Sequence, residues 1–352
     1  MRHALNLALL GTGAVSPNPR VGCVIVRDSE IVAKGWHHRY GDVHAEVDAL
    51  RSFSGDPQHA TMYVTLEPCC HTDKQPPCVD AIVASGIKRV VVGMIDPYSR
   101  VSGRGIASLR ARGIEVIVGV LQEECGWANR WFSHHVTSGL SYVAVKIATS
   151  IDMAIAAPST VGRWITSEAS RAATHALRNE LDAVMIGIGT AVADNPLLTV
   201  RDVVGRNPMR IIVDPHCDLP IESHLVQTAN NVRTIIFCDE SSLHGTRAED
   251  LRAKSIEVLS AQTAAEGLDP LSIIRTTGKM GIASILLEGG PRLVSSFFRA
   301  HCVHELNIHM APVVYATGAR WFNSHSHTDS LALHSCDVVG PDIHLVYTVG
   351  ST

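Results

Sequence analysis

Three potential metal ligands, His44, Cys69 and Cys78, each stand where one kind of local pattern gives way to another. Residues 61–66 read as a β-strand, and Cys69 lies just past its end. Cys78 opens an apolar run that Gly86 stops, which reads as a short helix. His44 precedes Ala45, Val47, Ala49 and Leu50, whose spacing is helical. If these ligands share one ion, the fold must bring a strand end and two helix starts together. A catalytic zinc site uses three protein ligands and leaves the fourth position open, and histidine with two cysteines is such a set.

Glu46 sharpens this reading. Side chains two apart within a helix diverge by roughly 200°. His44 and Glu46 therefore converge only if His44 lies at the non-helical start of its helix. Glu46 then reaches a water at the open position and acts as the proton-carrying group. Zinc lowers the pKa of such a water towards ~7. The competing arrangement is a closed knot with Cys70 or His71 as fourth ligand. Adjacent residues rarely reach one tetrahedral ion, so His71 is the better rival, and a knot leaves Glu46 without a task.

The 352 residues exceed what one core usually holds, so two domains are expected. A hydrophobic content of 46% with 18% charged residues is ordinary for a globular chain and gives no reason for long disorder. Nine cysteines, mostly scattered in apolar runs, suit free thiols in a reducing cytoplasm. The first residues read as a helix rather than a signal peptide, because Asn6 and Gly11 to Gly13 interrupt the apolar stretch. No run is long enough for a membrane span.

Strand and helix patterns alternate along the chain, which implies an α/β class with sheets covered by helices. Residues 21–26 and 31–35 form a predicted hairpin. Strand, helix, strand then follow at 89–94, 105–112 and 114–118, with a helix at 121–132. The polar stretch 133–139 reads as a hinge and sets domains at 1–138 and 139–352. The second half restarts the alternation, with strands near 142–148, 183–187, 210–213, 234–238, 256–259, 284–287, 305–310 and 345–349. Helices are expected at 167–181 and 292–299, and residues 318–342 read as loop. Gly187-Ile188-Gly189 after a strand is half of a dinucleotide fingerprint, but Val192 replaces the third glycine.

Zinc nucleobase deaminases carry H-x-E followed by P-C-x-x-C. Here His44-Ala45-Glu46 and Pro68-Cys69 match, but eight residues separate Cys69 from Cys78. With Asn18-Pro19-Arg20-Val21-Gly22-Cys23 and Thr65-Leu66-Glu67-Pro68-Cys69-Cys70-His71, that long spacing resembles the RibD family, the bifunctional deaminase/reductases of riboflavin biosynthesis. The resemblance continues through residues 146–156, Arg163-Trp164-Ile165-Thr166, Leu177-Arg178, Gly189-Thr190, residues 194–201 and Glu288-Gly289-Gly290. It covers nearly the whole chain.

The resemblance implies an N-terminal cytidine-deaminase-like α/β/α domain and a C-terminal dihydrofolate-reductase-like α/β domain. The first would deaminate a diaminopyrimidinone ribosyl phosphate with Zn2+. The second would reduce the ribosyl group to a ribityl chain with NADPH. Glu46 would be catalytic. Substrate would meet Asn18, His37, Lys74 and Asp96 in the first site, and Lys146, Arg178, Leu198, Arg201 and Glu288 in the second. Ala148, Trp164, Thr190, Asp194 and Gly290 would face NADPH. A small-molecule substrate, a homo-oligomer, and no membrane or nucleic-acid partner are further expectations. Glycine pairs at strand-to-helix turns suit a phosphate.

The chain departs from the family at several points. Met153 stands where Ser-Leu-Asp-Gly usually ends, and Ser159-Thr160-Val161-Gly162 replaces a small Ser-Gly-x-Ser stretch. Tyr315-Ala316-Thr317 replaces paired glycines, and Tyr98 replaces a common asparagine. These departures keep open a deaminase with a degenerate, silent reductase half, and a polynucleotide deaminase is a separate alternative. The latter calls for a basic, aromatic groove, against a net charge of -4 and 5% aromatic residues.

Overall fold

The computed structural model describes residues 1–71, 76–155, 164–316, 319–321 and 330–350. The chain divides into two compact units, Met1–Gly139 and Leu140–Thr352.

The first unit runs α1 (Arg2–Leu9), β1 (Gly22–Arg27), β2 (Glu30–Trp36), α2 (Ala45–Ser52), β3 (Ala60–Leu66), α3 (Cys78–Ser85), β4 (Arg89–Met94), α4 (Arg104–Ala111), β5 (Glu115–Val118), α5 (Gln122–Ala128) and α6 (Arg130–Ser138). Its sheet has the order β2-β1-β3-β4-β5. The hairpin β1–β2 and the pair β1–β3 are antiparallel, whereas β3, β4 and β5 run parallel. Two glycines set how closely the helices approach. A Cβ on Gly22 would lie 1.9 Å from the Ala4 carbonyl oxygen of α1, and one on Gly35 would lie 2.3 Å from the Ala49 nitrogen of α2. Only glycine lets α2 lie this tightly on β2, and α2 carries the site residues on its first turn.

The expected hinge at 133–139 is instead the last part of α6. Trp131 and Phe132 are buried on that helix, and Gly139 closes it with a φ of 73°. A left-handed glycine is a common helix terminator. Ser133, His134 and His135 are half-buried on the same helix, so the polar stretch continues α6 rather than forming a linker. The predicted single helix at 121–132 breaks at Asn129. Its buried amide accepts the Arg20 N–H at 2.7 Å and donates to the Arg20 carbonyl at 2.9 Å.

The second unit contains β6 (Tyr142–Ser150), α7 (Glu168–Glu180), β7 (Ala183–Gly187), α8 (Ile188–Asp194), β8 (Met209–Val213), α9 (His224–Gln227), β9 (Thr234–Cys238), α10 (Thr246–Ala253), β10 (Glu257–Ser260), β11 (Thr263–Ala264), β12 (Gly267–Leu268), α11 (Pro270–Lys279), β13 (Ser284–Leu287), α12 (Pro291–Arg299), β14 (Glu305–Ala311), β15 (Leu331–Val339) and β16 (Asp342–Val349). Nine of these strands form one sheet in the order β10-β9-β8-β7-β13-β6-β14-β16-β15. Val143, Val145 and Ile147 of β6 pack with Ile285, Leu287, Leu306 and Ile308 in its main core. Lys146 and Ala148 alternate to the other face. Asn307 lies in register with Lys146, and His309 with Ala148.

One expectation fails at the C-terminal end. Much of the loop predicted at 318–342 is β15, paired antiparallel with β16. Its residues are nearly all exposed, so neither face shows the apolar alternation that marks a half-buried strand. The helix α10 was also not legible, because only Ala248 and Leu251 are buried on it.

Candidate active sites

The ligand set forms at the strand end and helix starts that its spacing requires. His44 is the N-cap of α2, with extended backbone at φ −74° and ψ 158°. Cys78 is the first residue of α3, and Cys69 follows β3. His44 Nδ1 lies 3.1 Å from Cys78 Sγ and 3.5 Å from Cys69 Sγ, and all three donor atoms lie within 4.8 Å of one another. Zinc bonded tetrahedrally to nitrogen and sulfur sets those atoms about 3.6 Å apart. The residues therefore fit zinc. Among the described residues no fourth histidine, cysteine or carboxylate joins them. Cys70 packs against the apolar core, and His71 lines the adjoining pocket.

The Cys69 thiol is pulled down to about 4, first by its hydrogen bond with Cys78 and further by His44, while the same bond pushes Cys78 up. The N–H of Cys78 also points to Cys69 Sγ at 3.3 Å. Glu46, on the first turn of α2, is buried, and burial followed by the Cys69 charge raises its carboxyl to about 7. A group near neutrality both takes and returns a proton readily.

A pocket of about 370 Å³ opens beside this cluster. Asn18, His37 and Asp96 line it with His44, Glu46 and Cys69. His37 Nδ1 lies 3.1 Å from the Val43 carbonyl oxygen, which only accepts, so Nδ1 carries the hydrogen. Nε2 is then the acceptor facing Asn18 Nδ2 at 3.4 Å. Burial raises the Asp96 carboxyl to about 6. Lys74 lies outside the described residues, as do residues 159–163 and Thr317.

Sequence reasoning missed two contributors to this site. Phe132, His135 and Val136 of α6 line the pocket; their i, i+3, i+4 spacing was the available signal. Glu67 is the other. Its buried carboxylate accepts the N–H groups of Asp96 at 3.1 Å, Gly103 at 2.8 Å and Ile106 at 3.1 Å. It ties the ligand loop to Asp96 and to the start of α4.

In the second unit Arg178 of α7 and Glu288, just after β13, meet through two hydrogen bonds of 2.7 and 2.8 Å. Burial lowers the Lys146 ammonium, with the Glu288 charge opposing that and Arg178 reinforcing it. Arg178 also donates to the Thr199 carbonyl at 3.1 Å, so the pair holds the segment that carries Leu198 and Arg201. Leu198 is buried with a φ of 53°, and the Arg201 side chain is exposed.

Gly290 is the N-cap of α12. A Cβ there would sit 3.3 Å from Thr190 Oγ1, and one on Gly289 would sit 2.9 Å from Leu293 Cδ2. Both glycines thus let the turn pack closely on Thr190 and Leu293, and the helix N-terminus that Gly290 opens is of the kind that suits the phosphate end of NADPH. Thr190 and Gly290 are thus brought together. Ala148 lies on β6, Asp194 is exposed at the end of α8, and Trp164 is exposed with the Arg171 guanidinium 5.2 Å from its ring centre.

Taken together, the fold and these residues define a two-domain enzyme, a zinc-centre deaminase followed by a nucleotide-dependent reductase. The cytidine and deoxycytidylate deaminase zinc-binding region matches residues 1–94, and the RibD C-terminal domain matches residues 141–345. The chain belongs to the RibD family of bifunctional riboflavin-biosynthesis enzymes. It is 38% identical to the riboflavin biosynthesis protein RibD of Actinobacillus pleuropneumoniae, over 99% of this chain and 94% of that protein. It is 34% identical to RibD of Escherichia coli K12, over 98% of each. Among solved structures, Acinetobacter baumannii RibD superposes with a TM-score of 0.86 at 31% identity, over 99% of this chain and 98% of that one. The diaminohydroxyphosphoribosylaminopyrimidine deaminase/5-amino-6-(5-phosphoribosylamino)uracil reductase of Thermotoga maritima gives 0.86 at 34% identity, over 99% and 97%.

Proposed function

We propose that the first unit hydrolytically deaminates the diaminopyrimidinone ribosyl phosphate and that the second reduces the resulting 5-amino-6-(5-phosphoribosylamino)uracil. The observation that carries this reading is the convergence of His44, Cys69 and Cys78 beside the buried Glu46. The chemistry such a site gains from zinc is a water molecule acidified towards a pKa of ~7. Glu46 takes a proton from the attacking water and delivers it to the departing amine. Asn18 and His37 orient the ring, with Asp96 held by Glu67 on the pocket wall. Lys74 contacts substrate by family resemblance alone.

In the second unit NADPH supplies a hydride. Lys146, Arg178 and Arg201 hold the anionic and hydroxyl groups of the substrate, with Leu198 at its side. Glu288 fixes Arg178 and balances the charge on Lys146. Ala148, Trp164, Thr190, Asp194 and Gly290 bind the cofactor.

We assign the units to domains at 1–138 and 139–352, working in the cytoplasm without nucleic acid. No helix among the described residues is long and apolar enough to cross a membrane. The oligomer is a homo-oligomer. The exposed β15, with Leu331, Leu333 and Val338 open to solvent, supports a second copy as its partner.

The test supplies the zinc-loaded protein with the diaminopyrimidinone phosphate, with and without NADPH. Ammonia release and NADPH oxidation are followed separately. Ammonia in both cases, and NADPH oxidation only after deamination, is expected. No ammonia overturns the deaminase assignment, and ammonia without NADPH oxidation overturns the second step.

A further inference from the structure

Between α8 and β8 the chain runs without regular structure, and Asn195 and Leu198 there take left-handed φ values of 40° and 53°. Such backbone persists only where its surroundings hold it. The restraints on this segment are specific. Asn195 Oδ1 accepts the His224 N–H at 2.8 Å, Arg210 reaches the Leu197 carbonyl at 3.4 Å, and Arg178 reaches the Thr199 carbonyl at 3.1 Å. The last restraint falls on Arg201 itself. Its backbone N–H donates to His175 Nδ1 at 3.1 Å.

That bond fixes the chemistry of His175. A backbone N–H can only donate, so Nδ1 holds a lone pair and the ring hydrogen sits on Nε2. Nε2 lies 3.3 Å from Asp202 Oδ2, an acceptor. One imidazole on α7 therefore grips two consecutive residues, Arg201 by its main chain and Asp202 by its side chain. Its own side chain is 7% exposed, so it contacts solvent little. Burial, and then the charge of Arg178, lower the pKa of His175 against the opposing charge of Asp202, which favours the neutral ring that the acceptor role uses. The Arg201 side chain, by contrast, is exposed, and among the described residues its hydrogen bond is the 3.3 Å contact from Nη1 to Thr199 Oγ1. The Arg201 main chain is held by His175.

We propose that His175 is a positioning residue of the reductase site, aiming the Arg201 guanidinium at the substrate by holding the Arg201–Asp202 main chain in one orientation. This rests on the reading that Arg201 contacts the anionic substrate.

The experiment measures steady-state reduction of 5-amino-6-(5-phosphoribosylamino)uracil by the full-length zinc-loaded protein. NADPH KM and ammonia release in the same chain are the controls. His175→Leu removes both polar atoms. His175→Asn places a carbonyl oxygen where Nδ1 lies, and His175→Gln keeps a polar group only near Nε2. Leu and Gln are expected to raise substrate KM roughly tenfold, the effect of one lost hydrogen bond, with NADPH KM and kcat little changed. Asn is expected to stay near wild type, and Arg201→Ala to raise KM at least as far as Leu. Equal KM values in Asn and Gln, with Arg201→Ala still impaired, overturn the role of His175 alone. A wild-type KM in Arg201→Ala overturns the assignment of Arg201 to substrate, and the role of His175 with it. If Leu does not fold, Gln against Asn decides.

Discussion

Arg178 and Glu288 face each other as a two-bonded ion pair, both side chains 12% exposed, between α7 and the end of β13. A pair this enclosed is worth little against an apolar replacement but costs much when halved. Glu288→Gln is expected to destabilise the second unit by about 3 kcal/mol, because Arg178 keeps its charge and loses its hydrogen-bonded counterion. Urea unfolding of that unit measures it, and an unchanged midpoint contradicts the argument.

The same pair sets a pH dependence. Burial alone would raise the Glu288 carboxyl, but the Arg178 charge and hydrogen bonds, helped by Lys146, hold it below the usual value. Its folded pKa is thus lower than its unfolded one of ~4.3. The unfolded state binds the proton first as pH falls, so the pair's contribution is complete above that value and is lost below it. The stability gap between wild type and Glu288→Gln is expected to be full at pH 7 and to shrink below about pH 4. A gap that widens in acid contradicts the sign.

Glu46→Gln keeps the ligands His44, Cys69 and Cys78 and removes the proton carrier. Zinc content should match wild type while ammonia release falls by about 10² or more. Retained turnover refutes the role of Glu46. Chelation of the metal should likewise stop ammonia release yet leave NADPH-dependent reduction of the supplied uracil intermediate intact.

Met153 has a φ of 69° at a place where the family usually has glycine. Left-handed backbone costs an L-residue about 1–2 kcal/mol, while glycine adds roughly 0.5–1 kcal/mol of unfolded-state entropy. Met153→Gly should therefore stabilise the protein by about 0.5 kcal/mol. A lower urea midpoint would show that the methionine side chain contributes more than its backbone costs.

Arg210 is fully buried on β8. It donates to the carbonyls of Leu197, Leu225 and Val232 and to the hydroxyls of Thr228 and Thr234. Arg210→Met removes this donor from one buried carbonyl, that of Leu225, and from two part-buried ones, so a loss of about 3 kcal/mol is expected in chemical denaturation. A loss under 1 kcal/mol would mean that water replaces the guanidinium.

The sequence by itself singled out His44, Cys69 and Cys78, which the structure brings together, the place of Glu46 at a helix start, and most strands. Those features depend on residue type and short spacing: His44 must sit at a helix start for Glu46 to converge with it, and it does. Apolar alternation likewise marks strands that are covered on at least one face. Tertiary structure decided what has no local signature. The part of α6 after Phe132 reads as a polar hinge, yet it continues the helix that buries Trp131 and Phe132, and β15 reads as loop because its residues are nearly all exposed. Glu67 shows the same limit, since its value lies in N–H groups as far along the chain as Ile106. So does His175, whose tautomer is fixed by Arg201, a residue on a segment that packs beside it only once the chain has folded. Spacing along a chain encodes contacts within an element, whereas partners distant in sequence are set by how the elements pack.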